Sequence, residues 1–189
     1  MRYLGYLLFA ALLSALQGCF PVVATGVGTG ALMVADRRTT GAYIEDQSIE
    51  SKAGNRIGEQ YGDKVHVNVT SFNRHVLITG EVPDEATRTG VERIVASITN
   101  VKAVSDELVV SGLSSLSSRA NDTLITSNVK LRFLDNKNAF NADQVKVVTE
   151  DGTVYLMGLV FHKEAEAAAQ IASTTSGVQK VVKVFEYLD

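Results

Sequence analysis

Hydrophobic and polar residues alternate in the same order at two places along the chain. Val67 to Gly80 and Val145 to Gly158 can be laid side by side so that the valines, the second aliphatic run and the closing glycine coincide. Period-two alternation on both sides of Asn73-Arg74 and of Asp151-Gly152 predicts two β-hairpins, each with one face buried. The Asp-Gly pair is the stronger turn signal, because both central positions of a type I′ turn need positive φ.

Each hairpin is followed by a segment of helical period. Pro83-Asp84-Glu85 reads as a helix start, with Ala86, Gly90, Ile94 and Ile98 recurring on one face. Ala165, Ala168, Ala169, Ala172 and Thr175 form the corresponding stripe in the second copy. Such small side chains let a helix lie close to a sheet, and Gly80 and Gly158 do the same from the strand side. Final strands are expected at Ser105–Val110 and Val182–Leu188. Upstream of each hairpin lies another amphipathic segment, marked by Ile49, Ala53 and Ile57 in the first copy and by Ile125, Val129 and Phe133 in the second. The repeated unit is therefore α-β-β-α-β, about 65 residues and small for a core of its own. The predicted fold class is α+β, two tandem units with helices packed on a small mixed sheet.

The N-terminus obeys a different pattern. Arg2 and the apolar run Leu4 to Leu16 are too short for a spanning helix, which needs about 20 apolar residues, and read as an export leader. Leu16-Gln17-Gly18-Cys19 resembles a lipoprotein processing site, in which a small residue precedes the acylated cysteine. The expected organisation is a signal peptide at 1–18, a lipidated Cys19 and flexible tether at 19–43, a first domain at 44–110, a serine-rich linker at 111–120 and a second domain at 121–189. Within the tether, Gly26-Val27-Gly28-Thr29-Gly30 lacks the flanking strand and helix of a phosphate cradle. Arg37 and Arg38 are expected near lipid headgroups. Phe20 after the cysteine, in place of an aspartate, favours the outer membrane.

Composition narrows the chemistry. With 18 basic and 21 acidic residues the net charge is −3, and loss of Arg2 with the leader makes it −4, so general nucleic-acid binding is disfavoured. Cys19 is the only cysteine, leaving no thiol for an internal disulfide. His66, His75 and His162 are scattered, with His66 expected on the solvent face of a strand and His75 at a turn. Glu150-Asp151 reads as a solvated turn. No catalytic group, metal site, small-molecule substrate or cofactor is therefore expected, beyond the covalent lipid on Cys19.

The glycine-closed hairpin, the small-residue helix and the endings Gly177-Val178-Gln179-Lys180-Val181 and Asn100-Val101-Lys102-Ala103-Val104 resemble the BON domain. Together with the lipobox and Asn121-Asp122-Thr123, the chain resembles the dual-BON-domain outer-membrane lipoproteins of the DolP type, over nearly all of its mature length. The resemblance implies a non-enzymatic protein on the periplasmic side of the outer membrane. It further implies that the second domain binds anionic phospholipid, and that the protein supports envelope integrity and the machinery assembling outer-membrane β-barrels. Where some relatives carry a tryptophan, this chain has Leu124.

A helical wheel shows where such contact could occur. At about 100° per residue, Ile125, Val129 and Phe133 share one arc and Leu124, Leu131 and Leu134 a nearly opposite one, flanked by Lys130 and Arg132, with Lys137 beyond. The candidate phospholipid-binding set is Leu124, Ser127, Asn128, Lys130, Leu131, Arg132 and Leu134. The first domain has Ser48, Ser51, Lys52, Asn55 and Glu59 on the equivalent face. Two alternatives stay open: the second stripe packs on the first domain or on Leu113 and Leu116, or the protein is a periplasmic structural adaptor docking envelope proteins.

Overall fold

The computed structural model describes residues 36–136 and 139–189; the leader, Cys19, most of the tether and Lys137 lie outside the described residues. Ala35–Asp189 forms one compact unit. Its first half contains α1 (Thr40–Tyr61), a short 3-10 turn, β1 (His66–Phe72), β2 (His75–Val82), α2 (Glu85–Ala96) and β3 (Ala103–Val110). The second half repeats the order with α3 (Leu116–Asp135), β4 (Val145–Glu150), β5 (Thr153–Val160), α4 (His162–Ser173) and β6 (Lys180–Tyr187). Each half has a three-stranded sheet, β1-β2-β3 or β4-β5-β6, whose hairpin pair is antiparallel and whose last pair is parallel.

Both hairpins turn where the sequence places them. Asn73 and Arg74, and Asp151 and Gly152, all have positive φ, between 45° and 70°. The helix starts fall earlier than the composition suggested. The Thr39 hydroxyl accepts from the Ala42 amide at 3.1 Å, so α1 begins inside the stretch read as tether. The Ser115 hydroxyl likewise accepts from the Ser118 amide at 3.1 Å, and α3 takes up half of the serine-rich linker.

A buried carboxylate joins each leading helix to its hairpin turn. Asp46 accepts from the amides of Asn73 and Arg74 at 2.8 and 2.7 Å and from the Ser71 hydroxyl at 2.6 Å. Asp122 accepts from the amides of Asp151 and Gly152 at 3.0 and 2.9 Å.

Three apolar clusters hold the unit together. Ile49, Ala53, Ile57, Val76, Ile78, Val91 and Val95 build the first domain's core. Ile125, Val129, Phe133, Val154, Leu156, Ala165, Ala168 and Ala172 build the second's. The third cluster lies between the domains, where Phe72 and Leu77 meet Tyr155, Met157 and Val184. Leu77 alternates with Val76 and Ile78, and Tyr155 and Met157 alternate with Val154 and Leu156, so these side chains leave the opposite face of each sheet. The two sheets therefore pack face to face with helices on the outside.

This arrangement corrects several expectations. β2 and β5 are buried on both faces rather than one, as the central strand of a sheet that has helices above and a sister sheet below. Helix α2 is rotated from the stripe read in the sequence: Val91 and Val95 are fully buried, whereas Ala86 is exposed and Gly90 and Ile94 only half-buried. Gly80 and Gly158 are required by strand backbone and not by a helix. A Cβ at Gly80 would collide with the His66 carbonyl, and one at Gly158 with the Gln144 carbonyl.

Arg37 and Arg38 are also committed within the fold. Arg37 makes a two-point bond to Glu164 at 2.6 and 2.8 Å and donates to the Leu159 carbonyl at 3.0 Å. Arg38 pairs with Asp36 and Asp46 and lies 4.0 Å over the Phe72 ring. Buried or half-buried acids within reach hold both guanidinium groups, which are therefore not left to meet lipid headgroups.

Candidate functional site

Helix α3 carries a feature with no partner among the described residues. Its inner arc, Asp122, Ile125, Val129 and Phe133, is buried against its own sheet. Its outer arc exposes Leu124, Leu131 and Leu134 by 64%, 59% and 57%. Leu116, which the sequence reading left in the linker, shares that arc as the first helical residue and is 81% exposed. At about 1.5 Å per residue the stripe runs some 27 Å along the helix. Neither the first domain nor Leu113, itself exposed, covers it. The reason is topological: the sister sheet occupies the far side of β4-β5-β6, so α3 faces outward.

The polar members of the set take different places. Ser127, Asn128 and Lys130 are exposed, and Lys130 makes no ion pair among the described residues. Arg132 is half-buried instead of standing free beside the leucines. Its Nη1 lies 2.9 Å from the Ile171 carbonyl and 3.0 and 2.9 Å from the Thr174 and Thr175 hydroxyls, closing the C-terminal end of α4. A groove of about 460 Å³ adjoins the stripe and is lined by Arg38, Tyr43, Lys130, Leu134 and Lys146 among others. On α1 the corresponding face is polar apart from Ile44 in the first turn, which is 62% exposed. Among the described residues no helix is long and apolar enough to cross a membrane.

A second group of residues escaped the sequence reading. His66 is not on a solvent face: its Nδ1 lies 3.0 Å from Glu81 Oε2 and 3.7 Å from Glu150 Oε1. Glu150, read as a solvated turn residue, is buried, and accepts from Asn68 Nδ2 at 2.8 Å and the Thr79 hydroxyl at 3.2 Å. Burial pushes its carboxyl above the usual range, only partly opposed by Asn68 and His66. The same surroundings, burial first, raise the neighbouring Tyr155 hydroxyl to about 12. His75 bonds Ser105 at 2.9 Å, and burial lowers its basicity. Glu150 reaches Thr79 and Asn68 across 71 and 82 residues of sequence, which leaves no local spacing from which to find it.

Residues 45–112 and 121–189 each match the BON domain. The chain belongs to the BON family and carries two such domains in tandem, in the dual-BON group of the DolP type. It is 38% identical over 177 residues to the outer membrane lipoprotein DolP of Haemophilus influenzae, covering 92% of this chain and 91% of the relative. It is also 28% identical to a 21 kDa hemolysin of Actinobacillus pleuropneumoniae, over 81% of this chain and 79% of that one. Identity to the osmotically-inducible protein Y of Escherichia coli is 26%, over 83% and 80%. With the DolP-type relationship spanning nearly the whole chain, this is an outer-membrane lipoprotein.

Proposed function

We propose that the protein is a non-enzymatic, lipid-anchored module on the periplasmic face of the outer membrane, and that the outer stripe of α3 binds anionic phospholipid. One observation carries the reading: Leu116, Leu124, Leu131 and Leu134 stand more than half exposed in one line, with the ammonium of Lys130 on its flank. A leucine that leaves water for the acyl boundary contributes on the order of 1–2 kcal/mol, and a lysine near an anionic surface about 1 kcal/mol. Each contact is weak alone. An acylated Cys19 would hold the domain at the bilayer, where weak contacts add through effective concentration. Support of envelope integrity and of outer-membrane protein assembly follows from the family resemblance and would be exercised from that surface.

Flotation with phosphatidylglycerol vesicles tests the reading on Ala35–Asp189. The unaltered unit should float and Leu124→Glu with Leu134→Glu should not, while thermal melting stays within about 0.5 kcal/mol because both sites are exposed. Unchanged flotation of the folded double variant would refute the surface. Absence of flotation in the unaltered unit would favour the adaptor reading, for which Val109 and Val110, exposed at the end of β3, offer an apolar edge.

A further inference from the structure

Two carboxylates, Glu81 and Glu150, are each more than nine-tenths buried and converge from different domains. Among the described residues neither forms an ion pair with a lysine or arginine; the imidazole of His66 is the ion-pair partner of both. Two buried negative charges facing one weak base are costly unless a shared proton or a cation joins them.

Two of the three separations in the cluster suit such a cation. One nitrogen and two carboxylate oxygens lie within 4.8 Å of one another. A tetrahedral ion with bonds of about 2.0–2.1 Å sets its ligands about 3.3 Å apart. The observed separations of 3.0 and 3.7 Å from His66 Nδ1 straddle that value. Glu150 points Oε1 at the cluster while Asn68 and Thr79 hold Oε2, and the Ser114 amide donates to Glu81 at 3.2 Å, so both carboxylates have orienting partners outside the ligand set. His66 and Glu81 are direct cross-strand neighbours in β1 and β2, fixed where Gly80 approaches the His66 backbone. Entry is open on two sides. His66 and Glu150 line a cavity of about 460 Å³, and Glu81 and Glu150 line another of about 240 Å³.

We propose that His66, Glu81 and Glu150 form a divalent transition-metal site that clasps the two BON domains. Mixed imidazole and carboxylate ligation with few protein ligands suits Zn2+, with Mn2+ and Co2+ weaker, and disfavours Ca2+ and Mg2+, which demand more oxygens or an octahedron. The site is built once. In the second domain the residues aligned with His66 and Glu81 are Gln144 and Leu159, which supply no comparable set. Water completes the coordination, and the ion ties β1 and β2 to the end of β4.

Calorimetric titration of Zn2+ into the full chain, purified in detergent and stripped with chelator, tests this. Saturable binding of one ion is expected, weakened about tenfold or more by His66→Ala and by Glu150→Gln, and unaffected by His162→Ala, which removes another possible donor. Glu150→Gln preserves side-chain size and its amide can still accept a hydrogen bond, so circular dichroism should report an unchanged fold. Zn2+ should also raise the melting temperature of the unaltered chain and not of Glu150→Gln. Absence of saturable binding, or binding that survives both ligand substitutions, would overturn the site and leave the cluster a proton-sharing ion pair.

Discussion

Asp46 and Asp122 accept the amide hydrogens of both central turn residues in their own domains, from a helix lying more than 25 residues earlier in the chain. Removing the carboxylate would strand two donors, each costing about 1–3 kcal/mol. Asp122→Ala is therefore expected to destabilise Ala35–Asp189 by about 3 kcal/mol, lowering its melting temperature by roughly 10 °C. A change of a degree or two would show that water replaces the carboxylate. The run Asn121-Asp122-Thr123 stood out in the sequence only through its family likeness; the reason for the acid lies in a long-range contact that no local pattern contains. Asn73-Arg74 and Asp151-Gly152 were legible for the opposite reason, since turn chemistry is decided within four residues. His66 and Glu150 were misread because alternation assigns a face to a strand but does not say what the other domain brings to that face.

At the level of elements, α1 and α3 occupy equivalent places yet differ on their outer arcs. The inner arcs of both followed from their spacing, and Ile49, Ala53, Ile57, Ile125, Val129 and Phe133 are all buried. A small-residue stripe was a poorer guide: it held for Ala165, Ala168 and Ala172, whereas in α2 the valines are buried instead. Alanine and glycine bury too little surface to fix a helix's rotation against the pull of Val91 and Val95. The outer leucines of α3 were visible as an excess that one helix face could not absorb. Whether a neighbour absorbed them depended on where the sister domain packs, and its place on the far side of the sheet leaves them in solvent. The N-terminal extension of that stripe to Leu116 depended on the Ser115 cap, hidden within a serine-rich run.

For the whole molecule, face-to-face sheets give each small domain a second buried surface and turn the helices outward on both sides. The segment before α1 straps across this assembly, since Arg37 bonds Glu164 in the second domain. That bond holds the Glu164 carboxyl below its ordinary range. A lowered acid contributes stability above its unfolded pKa and loses it as pH falls through the folded one. Arg37→Ala should therefore lower stability at pH 7 by on the order of 1 kcal/mol, with the difference fading below about pH 4. A difference that persists undiminished in acid would assign the strap to packing of Arg37 on the Phe161 ring, 5.0 Å away.

The outward turn of α3 is also what leaves room for the proposed phospholipid surface, and the chain contains no tryptophan, so a single introduced indole reports on one place. Leu124→Trp should shift its fluorescence to shorter wavelength on adding phosphatidylglycerol vesicles and be quenched when the acyl chains are brominated, whereas Asn55→Trp on the outer face of α1 should respond to neither. An indole at position 124 that keeps its aqueous emission, or one at position 55 that is quenched equally, would contradict the account.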